Sequence, residues 1–105
     1  MNTLRRYEIL VPLLFNDGTP VPETVLAETF AELRAHFGAA SWETQVVRGI
    51  WEQEGVVYQD NLTRFFVDVP DVPEHREFFK EFKPRLKQRF HQLDVWIISH
   101  PVDVI

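Results

Sequence analysis

The stretch LTRFFVDVPDVPEHREFFKEFKPRLKQRF, Leu62 to Phe90, changes its hydrophobic period halfway along, and that change decides the fold. From Leu62 to Val69 the side chains alternate. Thr63, Phe65, Val67 and Val69 fall on one face, and Leu62, Arg64, Phe66 and Asp68 on the other, as in a strand. After the break Pro70-Asp71-Val72-Pro73 the spacing becomes helical, with Phe78, Phe79, Phe82, Leu86 and Phe90 on one stripe of a helix from Pro73 to Phe90. Glu74 and Glu77 near its start, and Lys83, Arg85, Lys87 and Arg89 toward its end, suit the helix dipole. Pro84 lacks the N–H that would bond the Lys80 carbonyl, so a kink between Lys80 and Pro84, or two helices in succession, is expected.

Working outward, Tyr7 to Phe15 reads as a strand with Tyr7, Ile9, Val11 and Leu13 on one face, and Pro12 at a bulge or strand end. Asn16-Asp17-Gly18-Thr19-Pro20 is a turn. Pro22 to Phe37 reads as a helix with Leu26, Phe30, Leu33 and Phe37 on its apolar stripe and Gly38 as its left-handed cap. Thr44 to Trp51 reads as a strand in which Gly49 suggests a bulge. Glu52 to Gly55 is a turn, Val56 to Tyr58 a short extended piece and Gln59 to Asn61 a second break. Asp94 to His100 is a last strand, interrupted by Pro101, with Val102 to Ile105 as an extended tail. The order strand–helix–strand–strand–helix–strand predicts one α+β domain over residues 1–105, a ferredoxin-like sandwich. Its antiparallel sheet is expected in the order 4-1-3-2, with both helices on one face.

Sixteen acidic against 11 basic residues give a net charge of −5, which argues against nonspecific binding to nucleic acid. There is no cysteine, so disulfides, thiolate catalysis and Cys-based zinc or iron–sulfur sites are excluded. The N-terminal residues lack the apolar run of a signal peptide, and no segment reaches the ~18–20 apolar residues of a membrane span. A cytoplasmic protein that does not bind membranes is expected. The histidines make no i, i+4 pair and no metal is expected. No Gly-rich phosphate loop or nucleophile elbow occurs, and no cofactor or catalytic residue is assigned.

Two helices cover only one face of a four-stranded sheet. The other face is expected to carry Leu10, Leu14, Leu62, Arg64, Phe66, Trp96, Ile98 and His100, too apolar a set for open solvent. Either a partner covers it, or the tail after His100 or the Gly55 hairpin folds back over it. The first alternative makes the chain a homodimer with Leu10, Leu14, Phe66, Trp96 and Ile98 at the interface. The segment Arg48 to Asp60 is the densest polar and aromatic cluster. Arg48, Trp51, Tyr58, Arg64 and His100 are the candidate ligand-binding residues. Arg48 and Arg64 can clamp an anionic small molecule only if they share a face; otherwise Glu43, Asp60 or Asp68 neutralises them. The function expected is a non-catalytic oligomerising or small-ligand-binding module. The alternative is a small enzyme acting on an anionic small molecule.

Tyr7-Glu8-Ile9-Leu10-Val11, Asp17-Gly18-Thr19-Pro20-Val21, Arg48-Gly49-Ile50-Trp51, Lys87-Gln88-Arg89-Phe90 and the closing Val102 to Val104 resemble a family of small bacterial single-domain proteins. That resemblance implies the ferredoxin-like fold and a bacterial setting, and carries no activity with it. At the level of the fold, the chain is also similar to dimeric α/β-barrel proteins, in which two bare sheet faces pack together.

Overall fold

The computed structural model describes residues 2–105. Its elements are β1 Asn2–Pro12, α1 Glu23–Phe37, β2 Ser41–Gln53, β3 Val56–Pro70, α2 Pro73–Arg89 and β4 Trp96–Val104. The strands form one antiparallel sheet in the order β2-β3-β1-β4, the expected order read from the other edge. Both helices lie on one face, so the fold is the ferredoxin-like sandwich. Their stripes, Leu26 and Leu33 from α1 and Phe79, Phe82 and Leu86 from α2, bury with Tyr7, Ile9, Val11, Phe65, Val67 and Val69 of the sheet. Phe65, Phe82 and Phe90 are fully buried. Each contributes about 1.5–3 kcal/mol at roughly 25 cal/mol per Å².

Several boundaries differ from the sequence reading, each for a tertiary reason. β1 starts at Asn2 instead of Tyr7 because both its neighbours reach that far: Leu4 pairs with Pro70 and with Val102. It ends at Pro12, and Leu14 instead bridges to Pro20 across the turn. Gln59-Asp60-Asn61 is not a break, because these residues pair with Ile50, Gly49 and Arg48 of β2 and β3 runs through. The bulge is not at Gly49, which sits in regular register opposite Asp60. It lies between Glu43 and Val47. There the Thr63 hydroxyl donates to the Glu43 carbonyl at 2.9 Å and accepts the Trp42 indole N–H at 2.9 Å. β4 continues through Pro101, which an edge strand tolerates. α2 is one helix through Pro84, not two. The β2–β3 turn has Glu54 at φ 52° and Gly55 at φ 80°. Two successive positive φ values are the geometry of a tight type I′ hairpin.

Candidate functional site

Because Tyr7, Ile9 and Val11 point into the core, alternation turns Arg6, Glu8 and Leu10 to the open face. The pairing builds rows across that face. Trp96, Leu10, Arg64 and Glu43 form one row, Ile98, Glu8, Phe66 and Ser41 the next, and His100, Arg6 and Asp68 a third. Trp96 is 62% exposed and Ile98 38%, while Leu10 and Phe66 are half-buried. Neither expected self-cover lies over this face. The residues after His100 stay in the sheet, paired with β1 as far as Val104 opposite Asn2. The Gly55 hairpin runs out as an arm, with residues 51–59 all exposed. Leu14, placed with this face from the sequence, lies outside the strands, 45% exposed.

Along the arm, Trp51 stacks on its cross-strand partner Tyr58, ring centres 4.3 Å apart and 15° from parallel. The Trp51 indole N–H donates to an Asp60 carboxylate oxygen at 2.9 Å. The register places Trp51, Tyr58 and Asp60 in phase with Leu62 and Arg64, so this aromatic pair continues the open face outward. Gly49 leaves a gap beside it, where a Cβ would meet the Leu62 side chain at 3.4 Å.

The two arginines do not converge. Arg48 pairs with Asn61 and is out of phase with Leu62 and Arg64, so it points to the other side of the hairpin. Arg64 sits at 3.3 Å from Glu43, its cross-strand partner. A shared anion clamp is geometrically closed to them. His100 is exposed and lies opposite Arg6, which holds Asp68 through two bonds of 2.7 and 2.9 Å. Asp68 is four residues along β3 from Arg64, or about 13 Å at the strand rise. Of the candidate ligand residues, then, Trp51 and Tyr58 come together and Arg64 lies farther along the same face. His100 stands at its far end and Arg48 behind it.

Sequence reasoning passed over Glu8. Its carboxylate is at the middle of the open face, flanked across the strands by Phe66 and Ile98, with Leu10 and Arg6 next to it along β1 and Trp96, Arg64, Asp68 and His100 on the diagonals. Among the described residues it makes no ion pair, and the nearby Arg6 is taken by Asp68. The Arg6 guanidinium is 4.5 Å from the Phe66 ring centre, and its pKa is raised, chiefly by the bond to Asp68 and less by the charge of Glu8. A lone carboxylate in a strand reads as solvated surface; only the cross-strand register shows that its two directly paired neighbours, Phe66 and Ile98, are apolar.

Two recesses of about 160 Å³ open at the borders of this face, one between α2 and β4 that reaches Ile98 and one beside Ala40 and Phe66. Both are smaller than the ~300–1,000 Å³ of a usual small-molecule pocket. Among the described residues no group of three or more His, Asp or Glu stands together to hold a metal. No helix is long and apolar enough to cross a membrane.

No family model and no curated protein matches the chain. Solved structures do. A phage SAM lyase in complex with S-methyl-5'-thioadenosine superposes with a TM-score of 0.68 at 14% identity, covering 96% of this chain and 90% of that one. A phage SAM lyase in the apo state gives 0.67 at 20% identity, covering 94% and 81%. At such identities the likeness is one of fold.

Proposed function

We propose that this chain is a small-molecule-binding domain whose site is the open sheet face, closed by a second copy, and that its ligands are S-adenosyl compounds. The observation that carries the reading is Glu8: a carboxylate without an ion pair, set between Phe66 and Ile98 beside Leu10 and Trp96, while the nearby Arg6 and Arg64 are engaged by Asp68 and Glu43. A carboxylate on an apolar face favours a ligand that joins an apolar or aromatic body to a positive charge. The sulfonium of an S-adenosyl compound is such a charge, and the adenine ring stacks on aromatic side chains such as Trp96 or the Trp51–Tyr58 pair. A fold shared over nearly the whole chain with a phage SAM lyase supports the same ligand class. Neither 160 Å³ recess takes a nucleoside, so a second copy over the open face supplies the enclosure. The bacterial cytoplasm goes with this reading. The short motif resemblance supports the bacterial setting.

The test is calorimetric titration and thermal unfolding with S-adenosylmethionine and with S-methyl-5'-thioadenosine, which lacks the sulfonium charge. Both are expected to raise the unfolding midpoint by about 4 °C or more at saturation. Glu8→Gln is expected to weaken the charged ligand about tenfold and the neutral one less than threefold. No shift with either ligand at millimolar concentration sinks the proposal. A second reading, that the site also turns its ligand over, is favoured by the neighbour being a lyase. Chromatography of an overnight incubation with S-adenosylmethionine, searched for a new adenine-containing product, separates enzyme from module.

A further inference from the structure

Three basic residues of α2 border a cavity. Arg76, Lys80 and Lys83 are spaced by four and three, so they lie on one helix face. With Tyr7, Phe79, Ile97, Ile98 and Ser99 they line the recess of about 160 Å³ between α2 and the edge strand β4. Its floor is rigid: Tyr7 is 3% exposed and stacks on Phe79, ring centres 4.3 Å apart and 11° from parallel. The Ser99 hydroxyl accepts a bond from Arg5 at 3.1 Å, which leaves its own proton free to be donated. Among the described residues the Tyr7 hydroxyl has no hydrogen-bond partner and Arg76 forms no ion pair. Lys80 is held only by an exposed pair with Glu77 at 3.2 Å, and Lys83 by Asp94 at 3.0 Å. The wall thus offers three cations and two hydroxyl donors. The two carboxylates, Glu77 and Asp94, are half or more exposed and line no part of the recess. In a chain of net charge −5 this concentration of positive charge at one cavity is selective for an anion.

We propose that the recess between α2 and β4 binds a phosphoryl group, either free inorganic phosphate or the terminal phosphate of a small monoester. The site lies on the helix side of β4 and shares Ile98, but not Glu8, with the open-face site. It relocates the anionic ligand expected near Arg48 and Arg64 to a place where cations and hydroxyl donors converge on a cavity. A phosphate presents several acceptor oxygens, which matches guanidinium, ammonium and hydroxyl donors.

The experiment is a ¹H–¹⁵N NMR titration of the full chain with sodium phosphate, against sodium chloride at matched ionic strength. Saturable shifts at Tyr7, Ile97 and Ser99 that chloride does not reproduce are expected. Arg76→Gln is a surface change that leaves the core intact, and it is expected to raise the dissociation constant at least tenfold. Lys80→Gln is expected to act in the same direction. Glu8→Gln, on the other face, is expected to leave phosphate binding within twofold, so failure of the open-face reading and failure of this one are distinguishable. A parallel titration with methyl phosphate separates the two sources. Binding as tight as that of phosphate assigns a monoester, and loss of binding assigns the free ion. Linear, unsaturated shifts shared by phosphate and chloride, or unchanged binding in Arg76→Gln, overturn the proposal.

Discussion

Arg89 shows what one side chain does in this fold. It leaves α2 with 17% of its side chain exposed and reaches α1, donating to the Thr29 hydroxyl at 3.0 Å and to a Glu32 carboxylate oxygen at 2.9 Å. Thr29 is fully buried, and its hydroxyl donates back to the Val25 carbonyl at 3.0 Å. Arg89→Ala leaves that hydroxyl without its donor and Glu32 with only Arg85, at 3.9 Å. A hydrogen bond to a charged group contributes about 1.5–3 kcal/mol. We expect a loss of about 2 kcal/mol in denaturant unfolding, discounted from the upper value because Glu32 is partly solvated. A loss below about 0.5 kcal/mol would show that Arg85 takes over the pairing. From the sequence, Arg89 reads only as a cation suited to a helix C-terminus, since nothing local places Thr29 beside it. Glu8 was illegible for the same reason. The residues that give both their roles are distant in the chain and near only once the sheet and helices have packed.

At the scale of elements, hydrophobic periodicity identified all six, because each buries a face whose spacing is set by its own geometry. What periodicity does not carry is how far a strand runs, since that depends on its neighbours. The arm of β2 and β3 is the clearest instance. Gln59, Asp60 and Asn61 have low strand propensity, yet they are held by cross-strand pairing and by the Trp51 bond to Asp60. The same lack of burial makes the arm weak. Ile50 is 69% exposed, Val57 57% and Val56 51%, and an isolated two-stranded hairpin is marginal in water. Amide hydrogen exchange is therefore expected to be fast from Gly49 to Gln59 and slow in Tyr7 to Val11, which lie in the central strand β1. Gly55→Ala puts a Cβ at φ 80°, a left-handed conformation that costs about 1–2 kcal/mol. It is expected to speed exchange in the arm and leave global unfolding unchanged. An equal slowing factor in the arm and in β1 would mean that the arm folds as one unit with the core.

At the scale of the molecule, the shape poses the question of a partner. Its extents are 45 × 30 × 25 Å, with an arm that buries little and a sheet face that carries Trp96, Ile98, Leu10 and Phe66 uncovered. One edge of the face ends in the Arg6–Asp68 pair, and Arg64–Glu43 closes another, so a largely apolar patch around the single carboxylate of Glu8 is rimmed by ion pairs. That is the anatomy of a protein interface. A second copy offers the same patch, and a two-fold arrangement sets each face against its own equivalent, which is the commonest way for identical chains to associate. Trp96 is the largest exposed side chain on the face, and buried aromatics dominate interface energies, so it is the anchor to remove. Light scattering at tens of micromolar is expected to give twice the 12.4 kDa chain mass, and Trp96→Glu the chain mass alone. Circular dichroism of Trp96→Glu is expected to keep its helix and strand signal, since Trp96 lies outside the core. Val57→Glu, on the arm and out of phase with Trp51 and Tyr58, separates the two surfaces: it is expected to leave a face-to-face dimer intact. A monomer at high micromolar concentration whose mass Trp96→Glu does not alter removes self-association from the proposed function. The open face would then have to hold its ligand unenclosed, where a charge pair between Glu8 and a sulfonium is screened by water and worth about 1 kcal/mol or less.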